Sequence, residues 1–303
     1  MTKRDFLKLT DLTRDEHEQL FERTAVLKSE RRARKTHRTL DGRTLAILLE
    51  KHSTRTRLSF EAAIHQLGGH AITLVPGESQ IARGEPLGDT ARVIARYADA
   101  IVFRTFGDDR LETLARAATV PVINGLSEGG HPVQLLADLF TVIERHGSLE
   151  GRVVAWVGDG ASNMARSWIE AARLFGFELR IGAPKEYAPS ADYLASAAAG
   201  ARVHLASDPR EAVRGADVVT TDVWTSMGQE AESTQRRRLL GSYCLDGALL
   251  ALAHESAIVL HCLPAHRGEE ITHDVMEGAQ SAVFDEAENR LHTQKALLEI
   301  LMK

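Results

Sequence analysis

The sequence predicts an α/β protein: two doubly wound parallel-sheet domains with the active site in the cleft between them. Three observations predict it. From residue 44 onward, short β-branched or Leu-rich runs alternate with helical patterns. The runs are continuously apolar, as strands buried on both faces must be. Polar, cationic and small residues then crowd the positions just after those runs, at the carboxyl ends of the strands, where doubly wound sheets hold their ligands.

The elements follow in order. Thr13 and Glu16 have the spacing of a capping box, and Leu20, Phe21, Thr24 and Leu27 give the helix behind it one apolar stripe. The basic run KSERRARKTHR (28–38) reads as the solvated end of that helix plus a loop. It lacks the aromatic or glycine partners that nucleic-acid binding would use. Ten apolar runs come next: TLAILLE (44–50), HAITLV (70–75), ADAIVFR (98–104), VPVIN (120–124), RVVAWVG (152–158), ELRIGA (178–183), ARVHLA (201–206), ADVVTTD (216–222), AIVLHCLP (257–264) and SAVFD (281–285). RHGSLEG (145–151) breaks the rhythm. The domains are therefore set at 1–146 and 151–284, with 285–303 as a closing amphipathic helix that must dock on a partner surface.

Composition narrows the function classes. The 303 residues are 44% hydrophobic and 26% charged, with net charge −5. That profile suits a soluble globular protein without a global pull toward nucleic acid or anionic membrane. Cys244 and Cys262 cannot build a disulfide framework, and a reducing cytoplasm fits them best. The N-terminus has no apolar signal-peptide core, and no apolar run approaches the roughly 18 residues of a membrane span.

The first strand end carries the sharpest chemistry. STRTR (53–57) follows a buried strand and opens a helix. The first amides of a helix are unpaired and sit at the positive end of its dipole, and Arg55 and Arg57 add fixed cations. A Ser-Thr pair before a helix is commonly just an N-cap, but two arginines beside a buried strand fit a phosphate-like dianion better. Other strand ends carry PGESQIARGE (76–85), Arg104, NGLSEGGHPVQLLAD (124–138), GDGASNMARS (158–167), TTDVWTSMGQE (220–230) and HCLPAHRGEE (261–270). His131 precedes Pro132 at a helix start, where it either caps or faces a ligand. Asp222 by default caps a turn, and Cys262 by default is a small buried hydrophobe. VGDGASN resembles a dinucleotide turn but lacks the third glycine. No ligand spacing for a metal, no nucleophile elbow and no P-loop is present.

With these motifs together, the chain resembles the aspartate/ornithine carbamoyltransferase family, on its ornithine side, over nearly its whole length. STRTR is similar to the family's carbamoyl-phosphate loop, HPVQLLAD to its second motif, DVWTSMGQE to the ornithine loop, HCLPAHRGEEI to the ornithine branch's other hallmark, and FDEAENRLHTQKALL to its close. The resemblance implies a homotrimer, sometimes assembled further, with carbamoyl phosphate on the first domain, ornithine on the second, and the last helix returning to the first. Carried over by position, Ser53, Thr54, Arg55, Thr56, Arg104, His131, Gln134 and Arg290 bind carbamoyl phosphate, with Cys262 and Leu263 near the reacting centre. Gln80 is donated to a neighbouring subunit's site. Asn163, Asp222, Ser226 and Met227 hold ornithine. Arg104, His131 and Cys262 are the catalytic set, and neither cofactor nor metal is implied, since carbamoyl phosphate is already activated. One departure stands out: Ser162-Asn163 and Arg166 replace an adjacent Asn pair and a polar Asn or His.

The implied reaction forms L-citrulline and phosphate. Ornithine's side-chain amine should titrate near ~10.4, so about one molecule in a few thousand is neutral at pH 7, and the site must select or generate that form. Thr56, Arg104 and His131 would stabilise the oxyanion formed on attack. Three rival readings remain: a nicotinamide oxidoreductase using VGDGASN, a non-catalytic relative, and a carbamoyltransferase acting on putrescine.

Overall fold

The computed structural model describes residues 3–77, 80–225 and 230–303. The chain divides into two compact units, residues 1–137 with 288–303, and residues 138–287.

In the first unit, α1 (Arg14–Arg32) is followed by β1 (Thr44–Leu49), α2 (Thr54–Gln66), β2 (His70–Leu74), α3 (Leu87–Ile94), β3 (Ala100–Arg104), α4 (Asp108–Ala117), β4 (Val122–Leu126) and α5 (Pro132–His146), whose first half belongs here. α1 opens with the capping box: Glu16 N donates to Thr13 Oγ1 at 3.3 Å, and Thr13 N donates to Glu16 Oε2 at 2.8 Å. Leu20, Phe21, Thr24 and Leu27 form its buried stripe. The sheet is wholly parallel, in the order β2-β1-β3-β4. Leu48, Ile101, Phe103, Leu111 and Leu114 pack between β1, β3 and α4. Gly69 turns the chain into β2 where a Cβ would stand 2.7 Å from Arg43 O.

The second unit runs through β5 (Val153–Val157), α6 (Asn163–Phe175), β6 (Glu178–Gly182), α7 (Ala191–Ala197), β7 (Arg202–Ala206), α8 (Pro209–Val213), β8 (Val218–Thr221), α9 (Ser233–Leu240), α10 (Gly247–Leu250), β9 (Ile258–His261) and α11 (His273–Met276). Its sheet is also parallel, in the order β7-β6-β5-β8-β9. α12 (Val283–Met302) ends the chain.

Nine of the ten apolar runs are strands. The tenth, SAVFD, is not: Ser281 makes one isolated bridge to Val259, and the backbone enters α12 at Val283. Asp285 and Glu286 in the first helical turn suit the positive end of that helix, which no strand would have rewarded. The expectation of burial on both faces also fails for the edge strands β2 and β7, which are half exposed; the other two edges, β4 and β9, are buried, and each is bridged on its outer side, by Phe6 and by Ser281. The two compact units divide within α5, at 137/138, upstream of the 145–151 break. That break lies inside the second unit, because a continuous helix carries the chain from one unit to the other.

Strand order reverses between β1 and β3 in the first sheet, and between β5 and β8 in the second. Each switch point leaves a crevice outside the strand ends of its own sheet: the residues following β1 and β3 stand at the first, and those following β5 and β8 at the second.

Candidate active site

The first unit gathers its predicted residues around one buried histidine. Ser53 caps α2, its Oγ accepting from Thr56 N at 3.3 Å and donating to Thr56 Oγ1 at 3.0 Å. Thr56 is fully buried, whereas Thr54 is exposed at the helix start. Arg290, from α12, is 2% exposed; it donates from Nη2 to Thr56 Oγ1 at 3.1 Å and from Nη1 to Gln134 Oε1. His131 lies just before Pro132 and its carbonyl accepts from Gln134 N at 3.0 Å. Burial pushes the His131 imidazole well below its ordinary pKa, and the guanidiniums of Arg290, Arg104 and Arg55 push it further the same way. Three cations therefore converge on a neutral ring beside a helix N-terminus.

Arg104 reaches this cluster from the end of β3. The β3–β4 register shifts between Phe103 and Arg104, which leaves Gly125 as an extra residue and re-aims the strand end. A Cβ on Gly125 would come within 3.1 Å of Val102 Cγ1 and 3.3 Å of Phe103 O, so the bulge is built on a glycine.

One sequence expectation changes here. Arg57 does not add its charge to the pocket: it is exposed and donates to Glu61 Oε1 at 2.9 Å, one turn along α2, and Thr73 Oγ1 donates to the same oxygen at 2.7 Å. Gln80 is exposed in the 80–83 turn after β2, outside the cluster among the described residues, and the expectation that it serves a neighbouring site stands as it was. Sequence reasoning also passed over Lys51 and Glu50. Burial lowers the Lys51 pKa, nearby Arg104 lowers it further, and its Nζ lies 4.2 Å from the Phe106 ring centroid. Glu50 binds Arg110 and Thr105, fixing the loops that follow β1 and β3.

The second unit holds a complementary, acidic set. Asp222 follows β8 and Cys262 follows β9, and the thiol donates to Asp222 Oδ1 at 3.2 Å. Asp222 Oδ1 also accepts from Val223 N at 2.7 Å. The carboxylate keeps some opening to solvent, yet the packing around it is dense enough that burial raises its pKa. The Cys262 thiol is pushed well above its ordinary pKa, first by burial and then by the negative field of Asp222, Glu286 and Asp138. Leu263 stands at φ +59°, a left-handed conformation unusual for a branched side chain, before a cis bond to Pro264. Its N–H donates to His261 Nδ1 at 2.9 Å.

Asp222, His261 and Cys262 place donor atoms within 4.8 Å of one another. They do not make a metal centre. His261 Nδ1 accepts from Leu263 N, so Nε2 carries the proton and donates to Glu270 Oε1 at 3.1 Å, which leaves the ring no lone pair for an ion.

Asn163 begins α6 behind the cap of Ser162, which accepts from Ala165 N at 3.2 Å. Arg166, the departure noted above, lays its guanidinium 5.0 Å from the Tyr193 ring centroid. Ser226 and Met227 lie outside the described residues. The dinucleotide reading of VGDGASN fails on space: a Cβ at Gly160 would meet Ile181 Cγ2 at 2.8 Å and Pro189 Cδ at 3.1 Å. The glycine thus serves packing against β6 rather than approach of a pyrophosphate.

A transferase that handles a phosphorylated reagent with one sheet and a cationic amine with another is the class these two sets define. Comparison with known proteins agrees. Residues 4–144 match the carbamoyl-phosphate-binding domain of aspartate/ornithine carbamoyltransferases, and residues 150–301 match the Asp/Orn-binding domain. The chain belongs to the aspartate/ornithine carbamoyltransferase family. It is 54% identical over 301 residues to the ornithine carbamoyltransferase of Pelobacter propionicus, covering 99% of this chain and 98% of that one. Among solved structures it is similar to ornithine carbamoyltransferase from Pyrococcus furiosus, with a TM-score of 0.94, 45% identity and coverage of 99% and 97%. The enzyme from Burkholderia thailandensis gives a TM-score of 0.91 at 46% identity, covering 99% and 98%.

Proposed function

We propose that this chain transfers the carbamoyl group of carbamoyl phosphate to the side-chain amine of L-ornithine, giving L-citrulline and phosphate. The observation that carries the reading is the convergence of Arg55, Arg104 and Arg290 on the buried, neutral His131 beside the start of α2. Guanidiniums and unpaired amides suit a phosphate dianion, and the neutral imidazole and Arg104 can donate to the carbamoyl oxygen as charge develops on it. Gln134, its Oε1 held by Arg290, orients the carbamoyl amide. The acidic field of Asp222, Asp138 and Glu286 suits a substrate that arrives with ammonium groups and disfavours one with two carboxylates such as aspartate. Cys262 keeps its proton and donates to Asp222, so its part is to orient the incoming amine rather than to deprotonate it. Ser226 and Met227 complete the ornithine contacts in this reading, with Asn163.

The same reading takes the chain as a homotrimer in a reducing cytoplasm, acting for arginine metabolism, with Gln80 serving a neighbouring site. Edge strand β2 supports a covered first unit: Ile72 is 51% exposed there, and Leu58 on α2 is 59% exposed. Both cysteines are free thiols, and no helix among the described residues is long and apolar enough to cross a membrane. The deciding experiment is a citrulline assay with ornithine and putrescine side by side. Citrulline formed from carbamoyl phosphate and ornithine, with little turnover of putrescine, is the expected result; preferential carbamoylation of putrescine would overturn the substrate assignment.

A further inference from the structure

The later part of the basic run, from Arg31 to Arg38, lines a cavity of about 780 Å³ in the first unit, and its arginines and lysine there are exposed. The cavity sits at the amino-terminal edge of the sheet, where Thr44 of β1 pairs with His70 of β2, and so at the opposite edge from Ser53 and Arg104. Its size falls in the range of small-molecule sites, roughly 300–1,000 Å³. Six lysines and arginines and three histidines line it, against a single acid, Asp41.

The plain explanation is that these cations offset the negative ends of α1 and α2, both of which finish here. Magnitudes decide against that as the whole account. Two helix C-termini supply together about one negative charge. Asp41 pairs with Arg38 at 3.2 Å, and Glu30, just outside the cavity, pairs with Lys35 at 3.4 Å and His37 at 2.6 Å. About three negative charges thus face six permanent positive ones. No carboxylate lies within ion-pair distance of Arg31, Arg32, Arg34 or Lys295 among the described residues.

Lys295 is the most telling of these. It is 1% exposed, and its ammonium reaches Gln66 Oε1 at 3.4 Å. Glu299, one turn along α12, is held by Arg23 and Thr39. Burial pulls the Lys295 pKa down and Arg31 and Arg23 pull it further, while the fields of Glu299 and Glu30, both already committed to other partners, offset this only in part. A buried ammonium facing other cations is costly unless an anion joins it. Arg34 adds a second sign of construction. Its N–H donates to Arg31 O at 3.0 Å and Lys35 N–H donates to Glu30 O at 2.9 Å, the paired bonds of a Schellman cap, yet the left-handed residue of that cap, φ +56°, is arginine where glycine is usual. The turn accepts backbone strain and presents another guanidinium to the cavity.

We propose that this cavity binds a short oligophosphate chain, whose several negative charges match its cationic excess. The ligand is either free oligophosphate or the triphosphate of a nucleotide; a diffuse polyanion surface is not needed for either. The test uses isothermal titration calorimetry with inorganic tripolyphosphate. One protein carries Arg55→Ala, which disables the anion pocket at the other sheet edge; a second carries Arg55→Ala with Arg32→Gln and Arg34→Gly. The first should bind one tripolyphosphate per chain, more weakly as salt rises. The second should lose affinity roughly tenfold or more, while Arg34→Gly, which suits the left-handed turn, leaves thermal stability equal or higher. Repeating the titration with ATP separates the sources: tighter binding than tripolyphosphate assigns a nucleotide, and equal or weaker binding assigns the free chain. Absence of binding to the first protein, or equal affinity in the two, overturns the proposal. Arg32→Gln with Arg34→Gly in an otherwise unchanged chain should leave citrulline formation intact, so the outcome is independent of the reaction assigned above.

Discussion

Arg55 and Arg57 differ by two residues in sequence and point to opposite fates for carbamoyl-phosphate binding. Arg55 sits half-buried in the first turn of α2 and contributes to the field that keeps His131 neutral. Arg57 is exposed and committed to Glu61 at 2.9 Å. A hydrogen bond to a charged group is worth about 1.5–3 kcal/mol, and a guanidinium offers a phosphate two. Discounting the pair for Arg55's partial exposure leaves about 3 kcal/mol. At about 1.4 kcal/mol per tenfold, Arg55→Ala should raise Kd for carbamoyl phosphate about a hundredfold. Arg57→Ala removes a surface ion pair worth about 0–1 kcal/mol to stability and should change that Kd by no more than about threefold. Calorimetric titration of both variants reads the contrast directly. Unchanged affinity in Arg55→Ala, or equal losses in the two variants, would refute the assignment of the dianion to the start of α2.

Three further outcomes are expected. Asp222→Asn should raise KM for ornithine far more than KM for carbamoyl phosphate; equal rises would remove Asp222 from ornithine binding. Cys262→Ala should lower kcat without moving the pH midpoint of kcat/KM for ornithine, because burial and Asp222 keep the thiol protonated throughout the working range; a displaced midpoint would assign the thiol to proton transfer. Glu16, held by Arg4 and Thr13, has its pKa lowered from 4.5 to about 2 in the folded chain. Its contribution is present above pH 4.5 and lost as pH falls toward 2, so urea denaturation should show the gap between the parent and Glu16→Gln closing over that window; a gap independent of pH would count against the carboxylate's bonds to Arg4 and Thr13 as its source.

How much of this was legible in the sequence depended on the range of the interaction. The Ser53 cap and the helix start behind it are local, set by residues within one turn, and they could be read from STRTR alone. Arg57 was misjudged although its partner stands at i+4, because a charge near a pocket and a charge spent on a neighbour look alike until Glu61 and Thr73 are seen sharing an oxygen. Arg290 could enter only through family resemblance. Its partners Thr56 and Gln134 lie more than 150 residues away in the chain, and no periodicity encodes that contact. SAVFD was misread because four apolar or small residues before an aspartate fit a strand end and a helix start equally well. Lys51 escaped notice because its lowered pKa depends on burial and on Arg104, neither visible in LLEKHS.

The same long-range convergence gives the first unit its most exposed test, the protonation state of His131. An unperturbed histidine is half-protonated near pH 6.5. Burial and three guanidiniums all oppose a charge on this ring, so its folded pKa is depressed. The unfolded chain therefore binds the proton first. Stability linked to His131 is full above pH 6.5 and declines as pH falls below it. The ring should show the neutral histidine NMR signature through pH 6.5 in the free protein. Arg290→Met removes one of the three cations and should move the titration upward, though burial still holds it down. A bound phosphate dianion should move it the same way, by adding negative charge where the arginines concentrate positive. Half-titration at or above pH 6.5 in the free protein would mean that the guanidiniums do not converge on the ring, and a donor kept neutral for the carbamoyl oxygen would lose its physical basis.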